Sequence, residues 1–385
     1  MRAPDCQAAS TPPAPSPVIR STSRRADGGW FTRLPVLDAW SFTDAEIAEA
    51  IDEQRLLNPS IDLSNSCNLN CPYCFVEDRA SADKRRRPNE LRLEETLKVV
   101  EDFAAAGART LNLVGAGEPT IDPHFRAIVE RTADLNMRTM LFTNGISIAR
   151  EPALARWLID RKVSIALKFN SRRPELQDAL AGRVGYTKQR DNALRILLAT
   201  GFAKDMPTRL ALDVLVMAEV YAELPRIYLW CRTNNVHPIF AEYVPTGRTS
   251  QGDRILALGS TTDPSRHNLG RLDANRRARL AADLASIDKA SGLPVPERPC
   301  AYFGGERCTQ LLGVYVDIQG LVWPCVARTQ LHGGVPSHQP LGTVRQASTS
   351  ASGLWRNHPA MEQLRREYTG ACPYKLPIPI AAGSQ

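Results

Sequence analysis

Three of the chain's nine cysteines fall within eight residues: Cys67, Cys71 and Cys74 in SNSCNLNCPYCF (64–75), spaced C-x3-C-x2-C. Three thiolates can each take one iron of a cubane [4Fe-4S] cluster and leave the fourth iron open to an outside ligand. A structural zinc ion wants four protein ligands, and the nearest histidine in sequence is His124. A disulfide framework fits neither the odd count nor a reducing compartment. Four further cysteines, Cys300, Cys308, Cys325 and Cys372, come late in the chain. Four thiols saturate one [4Fe-4S] cluster or close a tetrahedral zinc site, and spacing alone does not separate the two. Between them GVYVDIQGLVWPC reads as a β-hairpin turning at Gln319-Gly320 and delivering Cys325 at its end. Cys6 lies in an N-terminal stretch of low complexity. Cys231, in IYLWCRTNN, reads as a small buried core thiol, or as a hydrogen donor if it faces a substrate.

The bulk composition sets the frame for these ligands. The chain has 385 residues, 43% hydrophobic and 23% charged, a globular composition long enough for one large and one smaller domain. No apolar run approaches the roughly 18 to 20 residues of a membrane span. The first 29 residues are rich in Pro, Ser, Ala and Arg without a continuous apolar segment, so they read as a flexible tail and not a secretory signal. A cytoplasmic location, where cysteines bind metals or catalyse, is the expectation. The net charge of +7 gathers in short polar runs such as DKRRRPNE (83–90), which read as solvated surface. No nucleic-acid-binding signature accompanies them.

Positioning falls to alternating elements. A helix with a Ser or Thr cap signal is expected within Asp38 to Leu57, then strands at 60–63, 110–114, 138–142, 163–169, 209–216 and 238–243. Helical patterns separate them at 91–106, 123–135, 152–160, 174–200 and 222–234. Such alternation implies right-handed βαβ crossovers and a parallel sheet, with chemistry at the carboxyl ends of the strands. The cysteine loop, GAGEPT (115–120), FTNG (142–145) and KFNS (168–171) all sit at or after strand ends and are expected at one rim. The expected organisation is a tail (1–29), a helical extension (30–59), a partial (β/α)6 TIM-like barrel (60–248), a linker and helix (249–292) and a cysteine-rich module (293–385).

The C-x3-C-x2-C spacing, with Tyr73 before the last cysteine and the loop behind the first strand, resembles the radical S-adenosylmethionine (SAM) superfamily. GAGEPT resembles its Gly-Gly-Glu segment: Gly115 and Gly117 would let the backbone approach a ligand, and Glu118 would face the cofactor's methionine ammonium. FTNG, with Asn144, resembles the third-strand element. Lys168, Asn170 and Ser171 resemble the fourth-strand cluster that contacts the cofactor's carboxylate and ribose. The resemblance implies SAM on the open iron and reductive cleavage to a 5′-deoxyadenosyl radical. The late cysteines and hairpin resemble the Twitch and SPASM auxiliary-cluster domains, which implies a second [4Fe-4S] cluster on Cys300, Cys308, Cys325 and Cys372.

An auxiliary cluster can accept the substrate radical's electron, so oxidation of a secondary alcohol to a ketone is the expected reaction. Asp213 and Glu242 are candidate bases for the hydroxyl proton, and Arg248 a candidate substrate-binding cation. The short stretch before the first strand favours a small substrate, of aminocyclitol or amino-sugar type, over a leader peptide. A peptide-modifying enzyme and an epimerase using Cys231 are the competing readings. Flavodoxin or ferredoxin is the expected electron donor.

Overall fold

Apolar runs that are buried on both faces suit a parallel sheet covered by helices. Thr110–Leu113 is buried at every position and Ser164–Lys168 at four of five. The computed structural model of the protein describes residues 35–74, 86–242, 270, 272–290, 310–326 and 339–367. Cys6, Arg248, Cys300, Cys308, Cys372, the side chain of Glu242, the tail at 1–29 and the loop at 249–269 lie outside the described residues.

Six strands run parallel: β1 (Ser60–Ile61), β2 (Thr110–Leu113), β3 (Arg138–Thr143), β4 (Ser164–Lys168), β5 (Leu210–Val216) and β6 (His237–Glu242). The amphipathic stretches between them form α2 (Leu93–Ala105), α3 (Phe125–Asp134), α4 (Ile146–Arg150), α5 (Pro152–Asp160), α6 (Pro174–Ala181), α7 (Tyr186–Thr200) and α8 (Leu224–Thr233), after α1 (Asp44–Asp52). The expected helical stretch at 174–200 is two helices, because Gly182 and Gly185 take left-handed backbone at φ +60° and +78°. This is the open, partial barrel that the alternation implies.

Side chains alternate across the strands. Leu111, Leu113, Leu141, Ile165, Leu167 and Leu212 point outward into one core with Val99, Phe103, Leu158 and Leu194 of the helices. Met140, Ala166, Ala211 and Ile239 point into the lumen, where Leu37 and Ala39 meet them. The helix expected within Asp38 to Leu57 forms over Asp44–Asp52, with a threonine as its cap. Thr43 and Glu46 form a capping box that starts α1 at Asp44, while Leu37 bridges Thr208 and its neighbours enter the lumen.

The hairpin expected in a separate module forms as β7 (Tyr315–Val316) and β8 (Leu321–Trp323). It continues the barrel sheet: β7 pairs parallel to β1, and β8 and β9 (Gly342–Thr343) follow antiparallel. Farther along, α9 (Ala274–Ala290) is fastened to α8 by buried Asp288, which accepts from Arg232 Nε at 2.7 Å and from the Tyr228 hydroxyl at 2.8 Å. α10 (Ala351–Asn357) is tied to α2 through Asp102, which accepts from the Ser352 amide.

Candidate active site at the carboxyl rim and lumen

The cysteine loop leaves β1 with little regular structure, so its shape depends on bonds to neighbouring loops. The Glu118 amide donates to Ser66 O at 2.8 Å, Asn70 N to Ala181 O at 3.0 Å and Asn65 N to the Glu90 carboxylate at 3.0 Å. Arg183 donates to Asn68 O at 2.8 Å, and Asn144 Nδ2 to Asn68 Oδ1 at 2.7 Å. These bonds bring the cysteine loop, GAGEPT and FTNG to one rim, as expected.

The glycine of GAGEPT serves a different neighbour than expected. A Cβ on Gly117 would lie 1.9 Å from Ser66 O and 2.8 Å from Ser64 O, so the backbone it admits is the cysteine loop itself. Gly115 has φ +86° and turns the chain there. Gly182, outside the four rim motifs, plays the same part on the other side: its Cβ would meet Asn70 O at 2.2 Å. A left-handed glycine closing α6 was the available signal.

Glu118 is also placed differently. Its Oε1 accepts from Thr120 N at 3.2 Å and from the Thr120 and Thr143 hydroxyls at 2.6 Å each; Oε2 accepts from Asn144 N at 2.8 Å. The carboxylate thus clamps the second and third loops together, and burial raises its pKa. Facing an ammonium would mean sharing oxygens that already hold four donors.

Within the loop, burial pushes the Cys71 thiol up to about 12, with the neighbouring Cys74 and Cys67 adding to the rise. Cys67 and Cys71 pack in one cluster with Leu69, Ile146 and Tyr186. Among the described residues no three His, Cys, Asp or Glu side chains gather as a single-ion site. Ligands of a cubane need no such convergence, since each binds a different iron.

The fourth-strand cluster wraps Tyr73. Asn170 Nδ2 donates to the Tyr73 hydroxyl at 2.7 Å, and Lys168 Nζ lies 5.4 Å from the Tyr73 ring centre. Lys168 is paired to Asp213 at 2.9 Å across β4 and β5. Ser171 is wholly buried: its hydroxyl donates to Glu223 at 2.7 Å and accepts from Arg173 N. It holds the turn that precedes α6, whose N-cap is Arg173. Gln177 and Glu223, which belong to none of the sequence motifs, hold this turn through Asn170 N, Ser171 N and Arg172 N.

A cavity of about 200 Å³ occupies the lumen, with Asp213, Asn112, Trp40, Phe142, Tyr315 and Cys325 in its wall. Trp323 pairs with Tyr315, which pairs with Ser60, so Cys325 reaches the amino-terminal end of the strands, opposite the first three cysteines. Cys231 faces elsewhere. It is wholly buried among α8 and the outer face of the sheet, and burial pushes its thiol up. The hydrogen donor of the epimerase reading is therefore not at the lumen.

A family model described as the Radical SAM superfamily matches residues 61–213. Among curated proteins, the chain is 32% identical over 95 residues to the S-adenosylmethionine-dependent nucleotide dehydratase of Flammeovirga pacifica, covering 24% of this chain and 32% of the relative. It is 29% identical over 142 residues to the mycofactocin maturase MftC of Mycobacterium ulcerans (strain Agy99), covering 37% and 36%. The matched stretch spans about a third of these relatives' length. The crystal structure of Streptococcus suis SuiB bound to precursor peptide SuiA superposes with a TM-score of 0.59 at 15% identity, over 83% of this chain and 70% of that one, a likeness of fold.

Proposed function

We propose that this chain, a member of the radical SAM superfamily through residues 61–213, oxidises a secondary alcohol of a small natural product, of aminocyclitol or amino-sugar type, to a ketone. Family membership implies a [4Fe-4S] cluster and SAM. When bound, the cluster on Cys67, Cys71 and Cys74 with SAM supplies hydrogen-atom abstraction from unactivated carbon, and a second cluster on Cys300, Cys308, Cys325 and Cys372 supplies an electron acceptor. Tyr73, Asn144, Lys168 and Asn170 shape the rim where SAM binds, while Gly115, Gly117, Glu118 and Ser171 hold the loops that form it. Flavodoxin or ferredoxin supplies the reducing electron.

The observation that carries the reading is that Asp213 and Cys325 line one cavity. The alcohol must lose a hydrogen atom, a proton and an electron. Asp213, which lines the lumen cavity, takes the hydroxyl proton in this reading, and Lys168 beside it balances the charge. Glu242, at the end of β6, is the alternative base. About 200 Å³ lies below the 300 to 1,000 Å³ typical of sites for drug-sized ligands, so the lumen suits a small molecule or a single side chain. That last possibility, with the resemblance to a maturase, supports a second reading as a peptide-modifying enzyme.

The test is anaerobic turnover with SAM and a reductant, following ketone and 5′-deoxyadenosine, together with iron content. About eight irons per chain, falling to about four in Cys67→Ala/Cys71→Ala/Cys74→Ala, is the expected content for two cubanes. Asp213→Asn is expected to slow ketone formation by about 10² or more while SAM still binds. Full iron content with no alcohol oxidised, and a precursor peptide modified instead, would replace the first reading with the second.

No helix among the described residues is long and apolar enough to cross a membrane.

A further inference from the structure

The hydrogen bonds around Tyr73 can be assigned a direction. Asn170 Oδ1 accepts from the Leu215 amide at 3.0 Å, which fixes the carboxamide and leaves Nδ2 as the donor to the Tyr73 hydroxyl at 2.7 Å. The Tyr73 oxygen is thus an acceptor toward Asn170, and its one hydrogen remains to be donated. The hydroxyl is also hydrogen-bonded to Cys71. The proton on that bond therefore comes from Tyr73, in a relay running from Leu215 N through Asn170 and Tyr73 to the Cys71 sulfur. Beside it, Lys168 brings a positive charge 5.4 Å from the Tyr73 ring centre, partly balanced by Asp213 at 2.9 Å.

We propose that Tyr73 and Lys168 set the reduction potential of the cluster held by Cys67, Cys71 and Cys74, Tyr73 through its O–H donated to the Cys71 sulfur and Lys168 through its charge. The inference rests on the cluster site of the proposed function, but not on the substrate. Reduction adds one negative charge to the cluster. A donor to a ligating sulfur and a nearby cation both stabilise that charge. Asp213 works against Lys168. Removing it leaves the cation unbalanced, so the three side chains shift the potential in different directions: Tyr73 and Lys168 raise it, Asp213 lowers it. A purely structural role for these residues would give no such pattern of signs.

The experiment is a reductive titration of the intact protein followed by electron paramagnetic resonance, using the signal that changes on adding SAM. Iron content is measured for each variant. Tyr73→Phe and Lys168→Met are expected to lower the potential, by about 59 mV for each tenfold loss in the reduction equilibrium. Asp213→Asn is expected to raise it. Unchanged potentials in Tyr73→Phe and Lys168→Met, or a fall in Asp213→Asn, would overturn the proposal. Should Tyr73→Phe fail to assemble a cluster, resonance Raman spectra of the parent in H2O and D2O decide: an iron–cysteine stretch that shifts in D2O supports the O–H to sulfur bond, and one that does not overturns it. If the cluster site itself is wrong, the triple cysteine variant keeps its full iron content, an outcome separate from any shift in potential.

Discussion

Replacing Gly117 by alanine should unseat the cysteine loop. The added Cβ would stand 1.9 Å from Ser66 O, and real contacts of this kind are not found under 3.0 Å, so the two backbones must separate by at least 1.1 Å. No rotamer change relieves this, because both neighbours are main chain. The same displacement stretches the 2.8 Å bond from Glu118 N to Ser66 O beyond hydrogen-bond range. Losing that bond costs about 1 kcal/mol, and forcing extra volume into a filled site typically adds about 1 to 3 kcal/mol, for a total of about 2 to 4 kcal/mol. The strain falls on the segment carrying Cys67, Cys71 and Cys74, so anaerobically reconstituted Gly117→Ala should lose iron as well as stability in denaturant. Gly185→Ala is the control. It also carries positive φ, at +78°, but its Cβ would meet nothing within 4 Å, so it should be destabilised by about 1 to 2 kcal/mol and keep its iron. Full iron and parental stability in Gly117→Ala would refute the close approach.

Two further outcomes follow from buried groups. Burial holds His237 down to about 4 from 6.5, with Nδ1 donating to Pro35 O; the unfolded chain takes up the proton first as pH falls, so about 3 kcal/mol of stability is lost between pH 6.5 and 4. His237→Gln should flatten that slope in urea melts across the window, and an unchanged slope would assign the acid sensitivity to other groups. Cys231→Ala should lower stability by about 1 kcal/mol while turnover and solvent-deuterium content of the product stay as in the parent; a folded variant without turnover would contradict its position outside the lumen.

The barrel strands were legible because each is a short apolar run between stop signals, and a strand buried on both faces needs little else. Their observed ends differ from expectation by only one or two residues. In the N-terminal segment the cap signal was legible, and the reciprocal Thr43 and Glu46 bonds start α1 there, whereas the entry of Leu37 and Ala39 into the lumen had no local signal. Periodicity does not register which side chains a lumen will accept. Nor does it say which edge a hairpin will join, so the pairing of β7 with β1, more than 250 positions apart in sequence, had no local signal.

The candidate site divides along the same line between local and distant causes. Cysteine spacing is local, and three ligands within one loop could be read directly. The partners of polar side chains are distant: Lys168 meets Asp213 across 45 positions, and Asn170 meets Tyr73 across 97. Residue type alone made Glu118, Asn170 and Ser171 look available to a ligand, yet each is already bonded within the protein. A polar residue near a cofactor site can thus act by fixing the loop that carries the ligands. Here that role links the glycines, the clamp at Glu118 and the bond to Tyr73: Gly117 and Gly182 abut the cysteine loop at Ser66 and Asn70, Glu118 ties together the two loops beside it, and Asn170 reaches Tyr73 within it, so the seat of the thiolates is shaped in part by loops that contain no cysteine.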